Sequence, residues 1–318
     1  EQTSRPLLSS ARLSFGSATM DDWRLVPSHK LALCRIQKNM NTVLCDLFCS
    51  LNKKQHDGGR HVRGVFDFEN GCEWDSASAA YLGIANWQVR SHLRDSRWTK
   101  AIFYRDPLSR FLSAFLSKCT DDHDGEWNQE HICKPLFGSR TPSFSHAAQV
   151  VAADNYHMPT GLAGNHWRLQ MDFCESFRDY DVTFLITRST VGADVATMME
   201  AAGYANPSAE YAYHYHFPDG RRALDEHETN ADSQQLEYYT EPILRNVLKY
   251  LAPDYAHLQT VIGHFVPEWA VQRVGVDYIY SLGLGLQGPP TAPPPPPLAP
   301  PTVPPLLPLP APPPPLAP

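Results

Sequence analysis

No uninterrupted apolar tract in the 318 residues reaches the roughly 18 to 20 that a membrane-spanning helix requires, and no two cysteines form a CxxC pair. The first absence leaves no transmembrane helix to assign, and the second removes the usual zinc-binding spacing. Cations are scarce too: 27 Lys and Arg against 34 Asp and Glu give a formal charge of −7. Nucleic-acid binding through phosphate neutralisation needs clustered cations in excess, so the balance argues against a nucleic-acid partner and allows only a local basic pocket. Glycines at the spacing GxxxxGK[ST] are missing, which removes a triphosphate cradle of that type. The first residue is Glu1 and not methionine, so the expectation is a fragment or a processed chain from which a leader or anchor has been removed.

What is present is enough for one large α/β domain, with 42% hydrophobic residues. Seven cysteines are scattered along it: Cys34, Cys45, Cys49, Cys72, Cys119, Cys133 and Cys174. Cys45 and Cys49 stand at i, i+4 on a helical pattern, where side chains are neighbours but a bridge fits poorly, and they read as buried free thiols. Cys119 and Cys133 flank a polar loop and are candidates for a bridge. An odd count leaves at least one thiol unpaired within a monomer. Proline is concentrated at the far end, where 18 of the 30 residues from Pro289 to Pro318 are proline. Such a segment lacks backbone donors and predicts an extended polyproline II tail, either a spacer or a ligand for aromatic grooves on a protein or cell-wall partner.

Two strand, turn, helix units organise the rest. Residues 30–36 read as a strand, followed by the polar turn Gln37-Lys38-Asn39-Met40-Asn41-Thr42. A helix marked by Val43, Leu44, Leu47, Phe48 and Leu51 comes next, with Asn41 or Thr42 as its cap. In the second unit the apolar run Ala101-Ile102-Phe103-Tyr104 ends at Arg105, and Asp106-Pro107 supplies an N-cap and a first-turn proline. Phe111, Leu112, Phe115 and Leu116 then repeat at helical spacing and predict packing on the sheet. A helix N-terminus, a guanidinium and the Ser113 hydroxyl make a cradle for phosphate.

Arg105-Asp106-Pro107, then Arg110, then Ser113-Ala114-Phe115 resembles the 3′-phosphate-binding segment of the carbohydrate sulfotransferases, whose donor is 3′-phosphoadenosine 5′-phosphosulfate (PAPS). The turn at Lys38 resembles the 5′-phosphosulfate loop of that family, Pro-Lys-x-Gly-Ser/Cys-Thr. Lys38 and Thr42 match it; Gln37, Met40 and Asn41 depart from it. His61-Val62, followed by Phe66-Asp67-Phe68, resembles the segment that carries the catalytic histidine of the uronosyl 2-O-sulfotransferases. Gly164-Asn165-His166-Trp167-Arg168-Leu169-Gln170, with Cys174 and Tyr180-Asp181 following, resembles a block of the HNK-1 and chondroitin group, continuing weakly through Tyr238-Tyr239 and Asp254-Tyr255. Thr187-Arg188-Ser189 departs from that group's Lys-Phe-Glu.

The resemblance implies a P-loop-like α/β sulfotransferase fold, mainly parallel and flanked by helices. Composition adds a flexible lead-in over residues 1–24 and the proline tail over 286–318, leaving the transferase domain over 25–285. The resemblance further implies PAPS as donor co-substrate, a glycan acceptor, no metal, and residence in the Golgi lumen or secretory pathway. Carried over by residue, Lys38, Asn39, Met40, Asn41, Thr42, Arg105 and Ser113 bind the donor, and Lys38 and His61 are catalytic. Glu69, His92 and His166 are held in reserve as bases. Two alternatives remain: a catalytically degenerate glycan-binding module, to which Met40, Asn41 and the tail point, and a nucleotide-dependent kinase.

Four further expectations concern local structure. Residues 74–98 read as helical and 119–134 as an acidic irregular loop. The Tyr- and His-rich stretch around Tyr213 reads as a loop, either a platform for sugar rings or an aromatic surface loop without a ligand, and the last folded element as a helix over 233–251 stopped by Pro253.

Overall fold

The computed structural model describes residues 22–53, 77–120 and 125–287, apart from 155, 160, 178, 188 and 219–228. Within them four strands form one sheet in chain order. β1 (Trp23–Val26) runs antiparallel to β2 (Leu31–Cys34), which pairs in parallel with β3 (Thr99–Tyr104), and β3 pairs in parallel with β4 (Val182–Leu185). Parallel pairing of β2, β3 and β4 brings their C-terminal ends to one side, where open α/β sheets bind ligands.

β1 lies partly inside the stretch expected to be a lead-in. Trp23, Leu25 and Val26 are buried, as is Arg24, whose Nη1 donates to the Trp23 carbonyl at 3.1 Å. A charged residue inside a run of four hides the strand from a pattern search. β2 begins after Lys30, not at it, because Lys30 takes a left-handed conformation (φ 48°) that closes the turn from β1. β4 is half-buried along its length, as an edge strand must be, and not the fully buried strand its residues predict.

Helix α1 (Asn41–Lys53) follows β2. Its Val43, Leu44, Leu47, Phe48 and Leu51 recur every three or four residues and pack on Leu31, Leu33, Ala101 and Phe103 of the sheet. α2 (Asn86–Arg94) is shorter than the expected helical region, and residues 77–83 ahead of it are turns. α3 (Pro107–Cys119) begins where Asp106 Oδ1 accepts the Ser109 N–H at 2.8 Å. Every residue of α3 except Lys118 is buried. Its Phe111, Leu112, Phe115 and Leu116 belong to a helical core with Phe144, Trp167, Leu244, Val247 and Leu251, and not to the sheet face as expected.

The acidic stretch is helical from Gly125 to Phe137, with a π-helical run at Gln129–Cys133 that buries Ile132 and Cys133. The Tyr- and His-rich stretch is also a helix, Tyr211–His216. Tyr213 there is core, donating its hydroxyl to the Gly192 carbonyl at 2.9 Å, and His216 meets Asp46 of α1 at 3.3 Å. The C-terminal helices break at Thr240 and not at Pro253, giving Ala231–Tyr238 and then Glu241–Ile262. Interior proline costs a helix about 3 kcal/mol, and burial of Leu251, Asp254, Tyr255 and Leu258 around it offsets that cost. Two more helices follow, Glu268–Val274 and Val276–Ser281.

Disulfides join Cys34 to Cys174 and Cys119 to Cys133. Cys45 is a buried free thiol, but Cys49 is disulfide-bonded, contrary to the expected pair of thiols, with a partner outside the described residues. No helix among the described residues is long and apolar enough to cross a membrane. The proline-rich tail from residue 288 onward lies outside them.

Candidate functional site

The chain leaves β2 through a turn with two left-handed residues, Lys38 (φ 68°) and Met40 (φ 55°). Met40 stands where the resembling loop has glycine, the residue that adopts such a φ without steric cost. The side chain is accommodated by packing beside the α1 and sheet core. Met40→Gly is expected to shift stability by less than about 1 kcal/mol, strain relief offsetting lost packing and chain entropy. Met40→Val, β-branched at positive φ, should cost about 2 kcal/mol. Thermal melting of both variants checks the contrast, and equal melting temperatures would contradict it.

Asn39 turns inward. Its Nδ2 donates to the Phe103 carbonyl at 2.8 Å and to Gln170 Oε1 at 2.7 Å, and its own N–H bonds Ile36. Gln170 Oε1 also accepts the Arg105 N–H at 3.0 Å, and Gln170 Nε2 donates to the Arg105 carbonyl at 2.8 Å. One amide side chain therefore fixes both turns, at the ends of β2 and β3. Gln170 is itself fixed by Asp254, whose carboxylate accepts the N–H groups of Gln170 and Met171 at 2.9 and 3.0 Å. Burial pushes the Asp254 carboxyl up to about 6, against these bonds and the nearby Arg110 charge.

Arg110 completes the framework. It is 1% exposed and donates to the carbonyls of Gln37 at 2.8 Å, Arg168 at 2.8 Å and Asn165 at 3.3 Å. Arg105 reaches the other way: Nη1 donates to the Lys38 carbonyl at 3.3 Å, and Nη2 pairs with Asp232 at 3.0 Å. The lysine turn and the arginine turn are thus in direct contact.

Between them opens a cleft of about 500 Å³. Lys38, Met40, Asn41 and Thr42 of the first turn line it, as do Arg105, Ser109, Ser113 and Lys118 of the second turn and α3, together with His166, Asp232 and His264. Asn39 is not on it; its side chain and N–H are both used inside the protein, so its part is to pin the turn. Ser113 Oγ accepts from the Thr229 hydroxyl at 3.1 Å. The first N–H groups of α1 have no intrahelical carbonyl to bond, leaving donors and a positive dipole end beside Asn41 and Thr42.

Of the reserve bases, His92 stacks on Trp98 at 4.3 Å and does not line the cleft. His166 does line it, and its Nδ1 has no hydrogen-bond partner among the described residues. Burial, and then the charges of Lys38, Lys118, Arg110 and Arg35, hold its pKa well below the usual histidine value. His61 and Glu69 lie outside the described residues.

Lys118, Asp232 and His264 were not candidates on sequence grounds. Lys118 had a signal, being the one charged residue in the apolar second half of α3. His264 had none, since its partner Asp106 is 158 residues away.

The cleft lies at the ends of parallel strands, where open α/β sheets bind ligands, with cations and hydroxyls on facing turns. The family model described as the sulfotransferase family matches residues 21–258, and the chain belongs to that family. A carbohydrate sulfotransferase of Caenorhabditis elegans is 28% identical over 105 residues, 31% of this chain and 29% of that protein. An uncharacterised protein of the same organism is 28% identical over 103 residues, 30% of this chain and 28% of that protein. The chain thus spans less than a third of the length of either relative. No solved structure matches.

Proposed function

We propose that the protein transfers a sulfuryl group from PAPS to a hydroxyl of a glycan acceptor. One observation carries the reading: the turn bearing Lys38 and Thr42 and the turn bearing Arg105 and Ser113 face a single cleft and touch through the Arg105 to Lys38 bond. The donor set fits a nucleotide with anionic groups at both ends. Three cations, Lys38, Arg105 and Lys118, outnumber the two carboxylates Asp106 and Asp232, and the Thr42, Ser109 and Ser113 hydroxyls stand among them. Lys38, with Met40, Asn41, Thr42 and the opening N–H groups of α1, would hold the 5′-phosphosulfate. Arg105 and Ser113 would hold the 3′-phosphate. Asn39 serves by pinning the turn.

Bound there, PAPS supplies a sulfuryl group on a phosphate leaving group. The Lys38 ammonium stabilises the charge that builds on the departing oxygen. His61 is proposed as the base that takes the proton of the acceptor hydroxyl, since an imidazole titrating near neutrality suits that step. His166 suits it poorly, because burial and its cationic neighbours oppose protonation; its part is to stay neutral and hydrogen-bond. The disulfides support an oxidising compartment, in line with the Golgi lumen or secretory pathway. The proline-rich tail is proposed as a polyproline II spacer that can engage a protein or cell-wall partner.

Incubation with sulfur-labelled PAPS and a panel of glycans is expected to give labelled glycan. Failure of every glycan to take label, together with no calorimetric binding of adenosine 3′,5′-bisphosphate, would sink the reading. Nucleotide binding without transfer would leave a degenerate glycan-binding module.

A further inference from the structure

We infer that His264 is a positioning residue for the arginine end of the cleft, acting through Asp106. The inference deepens the function proposed above and rests on it. Among the cleft-lining residues described, His264 alone falls outside residues 21–258, the span matched by the family model. It follows Gly263, whose left-handed φ of 63° ends the helix Glu241–Ile262, and its N–H bonds the Leu258 carbonyl.

The segment that carries His264 is firmly held. Val266, Ala270, Val274 and Ile279 pack into the same core as α3, and Gln259 exchanges two hydrogen bonds with the backbone of Gly285. The imidazole stacks on the Tyr255 ring, centroids 6.1 Å apart and planes 24° apart. Its Nε2 lies 3.0 Å from Asp106 Oδ2, which also accepts the Tyr255 hydroxyl at 2.8 Å. Asp106 Oδ1 is already the N-cap of α3.

Both oxygens of Asp106 are therefore committed away from its neighbour in sequence, Arg105. Burial raises the Asp106 carboxyl, but the His264 hydrogen bond and charge, with the bonds from Ser109 and Tyr255, outweigh it and hold the group below its ordinary value. Asp106 is thus a carboxylate held one residue from the guanidinium that would meet the 3′-phosphate, with Asp232 already paired to that guanidinium. The His264 donor keeps Asp106 on its cap, and so keeps Ser109 and Ser113, on the first turns of α3, in register with Arg105 just ahead of the cap.

Two substitutions separate this role from simple packing. His264→Phe keeps a ring against Tyr255 and removes the N–H, whereas His264→Gln keeps an N–H donor and removes the ring. Calorimetry with adenosine 3′,5′-bisphosphate, and competition with adenosine 5′-monophosphate, reads the effect, with melting temperatures confirming that each variant is folded. The expected result is about tenfold weaker bisphosphate binding by His264→Phe, near-normal binding by His264→Gln, and unchanged monophosphate binding in both. If His264→Phe does not fold, His264→Asn, whose shorter amide cannot reach Asp106, replaces it with the same expected loss. Equal loss of both nucleotides, or no loss of either, overturns the inference. Failure of the unmodified protein to bind bisphosphate would instead overturn the function on which it rests.

Discussion

Replacing Lys38 with alanine is expected to lower sulfuryl transfer by about 100- to 1000-fold, the usual cost of removing one preorganised electrostatic contact from a developing charge. The melting temperature should change little. Lys38 sits in a left-handed backbone conformation that alanine tolerates about as well as lysine, so no new strain is introduced. The bond to Arg105 is made by the Lys38 carbonyl, which the substitution retains. The loss should appear mainly in kcat, because the charge it stabilises is larger in the transition state than in the bound donor. Lys38→Arg should recover only part of the rate, since a planar guanidinium cannot reproduce a compact ammonium at the same point. Normal turnover by Lys38→Ala would remove this turn from the active site.

The second large effect falls on stability. Arg110→Met should destabilise the protein by about 3 to 5 kcal/mol, because three buried carbonyls lose their donor and each unsatisfied group costs about 1 to 3 kcal/mol, partly offset by no longer burying a cation. The carbonyls belong to Gln37, Asn165 and Arg168, so the turn before Lys38 and the segment around His166 lose their common anchor. Burial pulls the Arg110 guanidinium down to about 10, which leaves it charged at neutral pH. Urea denaturation should therefore show a lower midpoint at unchanged slope. A shift worth less than 1 kcal/mol would mean that the three carbonyls find other partners, and that the framework described above is not what holds the turns.

Much of the site was legible because strand-to-helix turns carry local signals. Asp106-Pro107 announces a helix start in two letters, and the cap bond to Ser109 is there. The turn at Lys38 was legible for the same reason, up to Met40, whose positive φ contradicts its own residue type and could be inferred only from the resembling glycine. What could not be read were contacts closed by long-range packing. Gln170 joins two turns 65 and 131 residues away from it; the resembling block marked its position, but no local pattern says what it bonds. Pro253 misled because the local rule against interior proline was overridden by the burial of the turns on either side. The Tyr- and His-rich stretch misled in the opposite sense: aromatic side chains that suit a sugar platform here fill the space beside α1.

The separation between the Lys38 turn and the Arg105 turn is set by backbone pairing, since β2 and β3 are adjacent parallel strands with Cys34 opposite Ile102. The connection from 54 to 98 reinforces it, since Ala79, Val89, Leu93 and Trp98 pack in one core with Ala32, Cys34, Ile102 and Tyr104 of those strands. Substitutions in that connection that spare these buried positions therefore leave the strand register, and with it the distance between the two turns, unchanged.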